Sequence, residues 1–266
     1  MKNFEPHLID NWNNMDALVF ASYVPDKNKM YIIQEMFDVY RQYFANCDIY
    51  VGINGDPCLE YIEYLDSLKD KLNITYSITP KELEINSDVS AYQTALKLLK
   101  ESEKTYEYIW FGHTKGMVNN SSEWRIDFLN NFFKNRKEIT NLLESTDAGT
   151  YSLYLAKYAG INKFKDVLEQ YYTFKKPYFY TYLYLYTFYV IKGKYIHNFL
   201  NNCDPSFYNT NLISNGADIY MFERDIPHIA WRQGGYPLYK QWQPGVIFGG
   251  SYPESHYFKD VKKYYD

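Results

Sequence analysis

Four residues between an apolar run and a helical pattern, His113, Thr114, Lys115 and Gly116, could do chemistry. The run before them, Tyr106–Phe111, has the aromatic and β-branched composition of a buried strand and stops at Gly112. In an open α/β sheet, ligands lie outside the carboxyl ends of the strands, so an imidazole, a hydroxyl and an ammonium there mark a candidate site. Asp88 is a second candidate, at the start of the helical pattern V-S-A-Y-Q-T-A-L-K-L-L-K. A helix start presents free N–H groups and positive potential, so it can bind an anion. Trp124-Arg125 opens the next helical pattern, and Glu223, Arg224 and Asp225 gather charge late in the chain. Each has a plain reading as well. His113 and Lys115 can simply face water, Ser87 or Asp88 can cap the helix, and Arg125 can pair with Asp127 or Glu123. Trp124 reads as core, and Glu223 can brace Arg224.

The elements that would position these side chains follow a strand–helix rhythm. Ala17–Tyr23 is a continuous apolar run, as in a parallel strand buried on both faces. Met30–Phe44 has Ile32, Ile33, Met36, Phe37, Tyr40 and Phe44 at helical spacing. Asp48–Ile53 reads as a strand closed by the turn Asn54-Gly55-Asp56-Pro57, Leu59–Leu72 as a helix, and Ile74–Ile78 as a third strand. The alternation implies a mostly parallel, doubly wound sheet flanked by helices. Farther on, the spacing predicts one long helix over Trp124–Leu143 with Phe128, Leu129, Phe132, Phe133, Ile139 and Leu142 inward. A strand over Gly149–Tyr154, a helix over Gly160–Tyr172, a strand over Tyr180–Ile191 and short helices over Tyr195–Leu200 and Asn215–Arg224 follow. The tail from Gly234, rich in Gly, Pro and aromatics, reads as an irregular cover. With no repeat or linker, one domain is expected; the resemblance given below implies its division into residues 17–115 as a nucleotide-binding half, 116–236 as an acceptor half and 237–266 as the cover.

Composition narrows the function classes. A formal charge of −4 and a pI near 5.8 argue against a dedicated nucleic-acid binder, which carries a basic surplus. Cys47, Cys58 and Cys203 lack C-x-x-C spacing, which suits a reducing compartment and excludes a thiolate metal cage. The 31 Tyr and 17 Phe fill core, with part of the Tyr load suited to a wet groove. Neither an apolar signal-peptide core near the N-terminus nor a stretch long enough to span a membrane is present, so a soluble cytoplasmic protein is expected. No G-x-G-x-x-G or Walker loop marks a nucleotide site, no His pair has zinc-ligand spacing, and no G-x-S-x-G elbow occurs. An Asp-x-Asp after a strand, the usual metal holder of a sugar-nucleotide transferase, is also missing.

Several pieces nonetheless stand in one order: FASY at the first strand end, N-S-D-V-S-A-Y-x-x-A-L, H-T-K-G, W-R, Y-T-F-Y-V-I-K and N-G-A-D-I-Y-M-F-E-R. The ordered set, spanning about residues 17–236, resembles the rhamnan-synthesis F-like glycosyltransferases and related small GT-A-like proteins of bacteria and large DNA viruses. Ser87 stands where that pattern has Gly, Asn215 replaces an Asp, and Tyr220 stands near a usual His.

The resemblance implies a GT-A-like (Rossmann-like) α/β fold that moves a sugar from a nucleoside diphosphate to a glycan or polysaccharide acceptor. On it, Ala21, Ser22 and Tyr23 meet the nucleotide, and Asp88 with Tyr92 binds a ribose or sugar hydroxyl. His113 and Thr114 reach the donor, and Lys115 and Arg125 supply the positive charge that a leaving diphosphate requires. Glu223 is the first choice for the base that an inverting transfer needs, with Asp225 and Asp218 as rivals. If Mn2+ or Mg2+ takes part, Asp88 is the expected ligand. The alternative is a non-catalytic glycan-binding protein on the same fold. Sugar transfer to nucleic-acid bases is disfavoured by the acidic balance.

Overall fold

The computed structural model describes residues 16–84, 88–114, 117, 122–157, 182–202, 226–227, 229–230, 233 and 235–243. Its centre is strand β1 (Asp16–Ser22), buried at every position. Parallel strands flank it on both sides, β2 (Asp48–Ile53) and β4 (Tyr108–His113). Strand β3 (Asn73–Ile78) lies outside β2, also parallel. Beyond β4 the direction reverses. Strand β7 (Tyr189–Lys192) is antiparallel to β4, and β5 (Ala148–Lys157) is antiparallel to β7 and to β6 (Tyr182–Tyr184). The order β3-β2-β1-β4-β7-β5-β6, with β8 (Tyr236–Gln243) paired in parallel to β5, makes one eight-stranded α/β sheet.

A two-residue period divides β1 between two cores. Leu18 and Phe20 face helix α1 (Met30–Tyr43), whose Ile33, Met36, Phe37 and Tyr40 are fully buried. Ala17, Val19 and Ala21 face helix α3 (Val89–Glu101) and helix α6 (Gly193–Asn202). Small side chains on that face let α3 settle close to the sheet. At Gly52 of β2, an added Cβ would stand 1.7 Å from the Ala91 carbonyl oxygen. Glycine is therefore required there by the helix backbone, which fixes the position of the helix start. Helix α2 (Leu59–Leu68) joins α1 on the first face and is shorter than its apolar spacing implies.

Several expectations are corrected. The strand before the candidate loop does not stop at Gly112; Gly112 and His113 pair with Phe20 and Ala21 of β1. The long helix is broken into α4 (Ser122–Asn131), a short turn at Phe133–Asn135, and α5 (Arg136–Glu144). Phe132 stays in the right-handed region but at a stretched φ of −115°, its carbonyl accepts the tighter i+3 bond from Asn135 N–H at 3.1 Å, and Asn135 Nδ2 donates to the Asn131 carbonyl at 2.9 Å, a local bond that competes with the helix. The break sends Phe132 onto Trp110 and Phe133 onto Tyr40, while Leu143, not Leu142, turns inward. The expected strand over Tyr180–Ile191 is two strands around a turn, Leu185–Thr187. Within the expected irregular cover, Tyr236–Gln243 is strand β8, where Pro237 is accommodated opposite Thr150 beside an irregularity in the ladder. The expected helices at 160–172 and 215–224 lie outside the described residues. Among the described residues no helix is long and apolar enough to cross a membrane.

Candidate functional site

Parallel register brings two of the candidate segments together. Ala21 is directly opposite His113 on adjacent strands. Just beyond, the Thr114 N–H donates to the Ala21 carbonyl at 3.1 Å, and the Tyr23 N–H donates to Thr114 Oγ1 at 3.0 Å. On the other side of β1, the Asn54 N–H donates to the Ser22 carbonyl at 2.8 Å. The Ser22 hydroxyl turns inward and donates to the Gly52 carbonyl at 3.1 Å. Ala21 and Ser22 are thus buried fixings of the strand end, and Tyr23, 39% exposed, is the residue of the three that reaches solvent. Its ring packs where Gly55 would carry a Cβ, and Gly55 has φ +72°. One glycine therefore serves both the left-handed turn and the aromatic contact.

Asp88 stands at the start of α3 without capping it; its side chain makes no cap hydrogen bond. Its carboxylate instead lies 3.2 Å from Nδ1 of His113. Both side chains are mostly enclosed, His113 beside the Phe188 ring at 5.0 Å and the Tyr92 ring at 6.5 Å. Tyr92 is buried, and its hydroxyl donates to the Thr187 carbonyl at 3.2 Å. A carboxylate that accepts Nδ1–H selects the tautomer with its lone pair on Nε2.

Arg125 is buried on α4, and its Nε donates to Glu35 of α1 at 2.9 Å. The partner is thus neither Asp127 nor Glu123. Asp127 accepts instead from Asn131 at 2.6 Å and from the Tyr154 hydroxyl. Lys115, Glu223 and Asp225 lie outside the described residues, as do Ser87 and Gly116. Glu35, Thr187 and Phe188 are site neighbours that sequence spacing did not single out. Glu35 sits in the pattern of an ordinary helix, and the other two sit in an apparently continuous strand.

Among the described residues no group of three or more His, Cys, Asp or Glu side chains is gathered to hold a metal ion. Asp88 with His113 does not by itself make a divalent-cation cage. An open groove of about 650 Å³ lies near the amino ends of β2 and β3, lined by residues that include Asp48, Tyr50, Lys69 and Lys104. Its lysines are already paired, Lys104 with Asp48 at 2.8 Å and Lys69 with Asp66 at 2.7 Å. The carboxyl edge of β1 and β4 is the better candidate.

No protein-family model matches the chain, and no curated protein matches it. Among solved structures, the crystal structure of S. aureus TarS 1–349 is similar over 85% of this chain and 60% of that one, at 11% identity and a TM-score of 0.44. The chain thus spans about three-fifths of that structure. A likeness this slight carries no argument about activity.

Proposed function

We propose that the chain is a cytoplasmic glycosyltransferase that moves a sugar from a nucleoside-diphosphate donor to a glycan or polysaccharide acceptor. The observation that carries this reading is the meeting of Ala21–Tyr23, His113–Thr114 and Asp88 at one point. There β1 lies between β2 and β4, and the chain's crossover to the far side of β1 opens the crevice in which α/β sheets take their ligands. In this scheme Tyr23 and the backbone around Thr114 line the nucleotide end. His113, held by Asp88 through Nδ1, stands at the donor end of the site. Lys115 supplies charge to the leaving diphosphate. The acceptor oxygen forms a bond to the anomeric carbon as the bond from that carbon to the phosphate oxygen breaks. Glu223, with Asp225 as rival, takes the acceptor proton.

The test is a thermal-shift panel with UDP, GDP and dTDP and their common sugar conjugates, each with manganese and with chelator. A rise in Tm with one nucleotide, lost in Lys115→Ala, is expected; no shift with any member overturns the reading. The chelator arm reports whether Mn2+ or Mg2+, with Asp88 as ligand, contributes. A second reading, a glycan-binding protein without turnover, is favoured by one observation. Arg125 already has a carboxylate at 2.9 Å, so less of its charge is left for a diphosphate. Sugar-nucleotide turnover above background eliminates that alternative.

A further inference from the structure

The turn between β6 and β7 holds two consecutive bulky residues in the left-handed region, Tyr186 at φ 67° and Thr187 at φ 53°. Left-handed geometry is unfavourable for side chains with a Cβ. The turn puts the Tyr186 ring against Trp124 of α4, with centroids 4.6 Å apart and planes at 35°. Tyr154 of β5 meets the same indole edge-on at 5.3 Å and 90°. All three rings are half-buried, above fully buried Phe128, which contacts both tyrosines. At the rim, half-buried Asp127 is fixed by Asn131 and by the Tyr154 hydroxyl. The same turn reaches the candidate site. The Thr187 carbonyl accepts from Tyr92, and the Phe188 ring lies 5.0 Å from His113.

We propose that Trp124, Tyr154 and Tyr186, with Asp127 at their edge, form a saccharide-binding subsite, and that it seats the acceptor glycan. The acceptor role rests on the transferase reading above; the saccharide chemistry does not. A pyranose presents an apolar C–H face ringed by hydroxyls. Half-buried aromatic rings offer an apolar surface of the matching kind, and tyrosine hydroxyls and a fixed carboxylate offer hydrogen-bond partners for the rim. Phe188 stacks on Phe128 beneath the rings and lies 5.0 Å from His113, which links the subsite to the donor end of the site.

Tyr186→Gly separates this role from plain packing, because glycine adopts the left-handed turn without strain while the ring is lost. The whole chain is titrated with hexose, N-acetylhexosamine and 6-deoxyhexose trisaccharides, and saturation-transfer NMR is read on the sugar ring protons. Nucleotide-induced Tm shifts are measured on the same samples. Wild type is expected to show transfer from aromatic protons to at least one trisaccharide, with Kd raised roughly tenfold in Tyr186→Gly and in Trp124→Ala. The Tyr186→Gly chain is expected to keep its cooperative melt. No transfer to any trisaccharide in wild type, or equal transfer in both variants, overturns the subsite. A nucleotide shift without saccharide binding leaves the transferase reading and removes the subsite. Saccharide binding without any nucleotide shift keeps the subsite and removes the transferase reading.

Discussion

Arg136→Met should weaken the chain far more at neutral pH than at acid pH. Asp16, at the start of β1, is buried, and its Oδ2 accepts from Trp110 Nε1 at 3.1 Å and from Arg136 Nε at 2.9 Å. Arg136 Nη2 stands 2.8 Å from the same oxygen, and its Nη1 donates to the Tyr43 carbonyl at the end of α1. The guanidinium also lies over the Phe44 ring. Methionine keeps much of the volume but leaves a buried carboxylate with only the indole N–H among these three bonds. Breaking a buried pair in this way costs about 3–5 kcal/mol. For a chain of this length that is a fall of roughly 6–20 °C in Tm.

The pH dependence has a definite sign. Burial holds the Asp16 carboxyl above its ordinary value, against the opposing pull of Arg136. The folded state therefore binds that proton more tightly than the unfolded chain. Its contribution to stability is fully present below the unfolded pKa of about 4 and is lost as pH rises through the folded value. Removing Arg136 raises the folded value further, so the deficit relative to wild type should be largest at pH 7 and shrink toward pH 4. Urea melts of both proteins across that range measure it, and adding Asp16→Asn to the variant should recover part of the loss at pH 7. A deficit under about 1 kcal/mol, the size of an exposed pair, or one that is flat with pH, refutes the reasoning. The clamp matters for the site because Trp110 is on β4. Asp16 thus ties β1 to β4 and α5 at the end opposite Ala21 and His113.

Gly52→Ala drives a methyl into the Ala91 carbonyl, backbone that cannot swing aside. A loss of about 3 kcal/mol is expected, at the upper end for overpacking, and an unchanged urea midpoint would rule this packing out. His197 accepts the Tyr106 N–H on Nε2 at 2.8 Å, and burial lowers its pKa. The neutral ring then contributes stability that is present above the unfolded pKa of about 6.5 and lost as pH falls through the folded value. His197→Ala should cost about 1–2 kcal/mol at pH 7.5 and remove that part of the pH dependence; equal slopes for both proteins would count against it. Thr114→Val removes the acceptor of the Tyr23 N–H, which is expected to cost about 1 kcal/mol. It should also speed amide exchange at Tyr23 selectively, and unchanged protection there would show that the bond does not hold the strand end.

The parts legible from the amino acids are those where local chemistry and tertiary demand agree. Ala17–Tyr23 and Asp48–Ile53 read as strands because each is an apolar run closed by polar or turn residues, and the strands found there, Asp16–Ser22 and Asp48–Ile53, both lie inside the sheet. The turn at Asn54–Pro57 was equally plain, since Gly55 needs its positive φ. The failures are places where the backbone does something its residues do not advertise. Tyr186 and Thr187 take left-handed angles with no Gly or Asn to signal them. The break between α4 and α5 falls among residues whose apolar spacing continues straight through it. Pro237 hides a strand that needs pairing only on its β5 side among the described residues.

The site divides in the same way. That Ala21–Tyr23 and His113–Thr114 meet follows from two parallel strands in register, which the strand–helix rhythm already implies. The turn of Asp88 away from its helix toward His113 does not follow, because a helix start equally invites a cap. What decides it is Gly52, an unremarked glycine inside a strand. It lets α3 sit with the Ala91 carbonyl where a Cβ would be, and Asp88 begins that same helix, three residues earlier. Arg125 and Glu35 show the opposite limit. They are 90 residues apart, and each has nearer partners in sequence, so only the packing of α4 on α1 selects the pair. Strand order therefore sets where a ligand can bind, while the clearance between one helix and one glycine sets which side chains it meets.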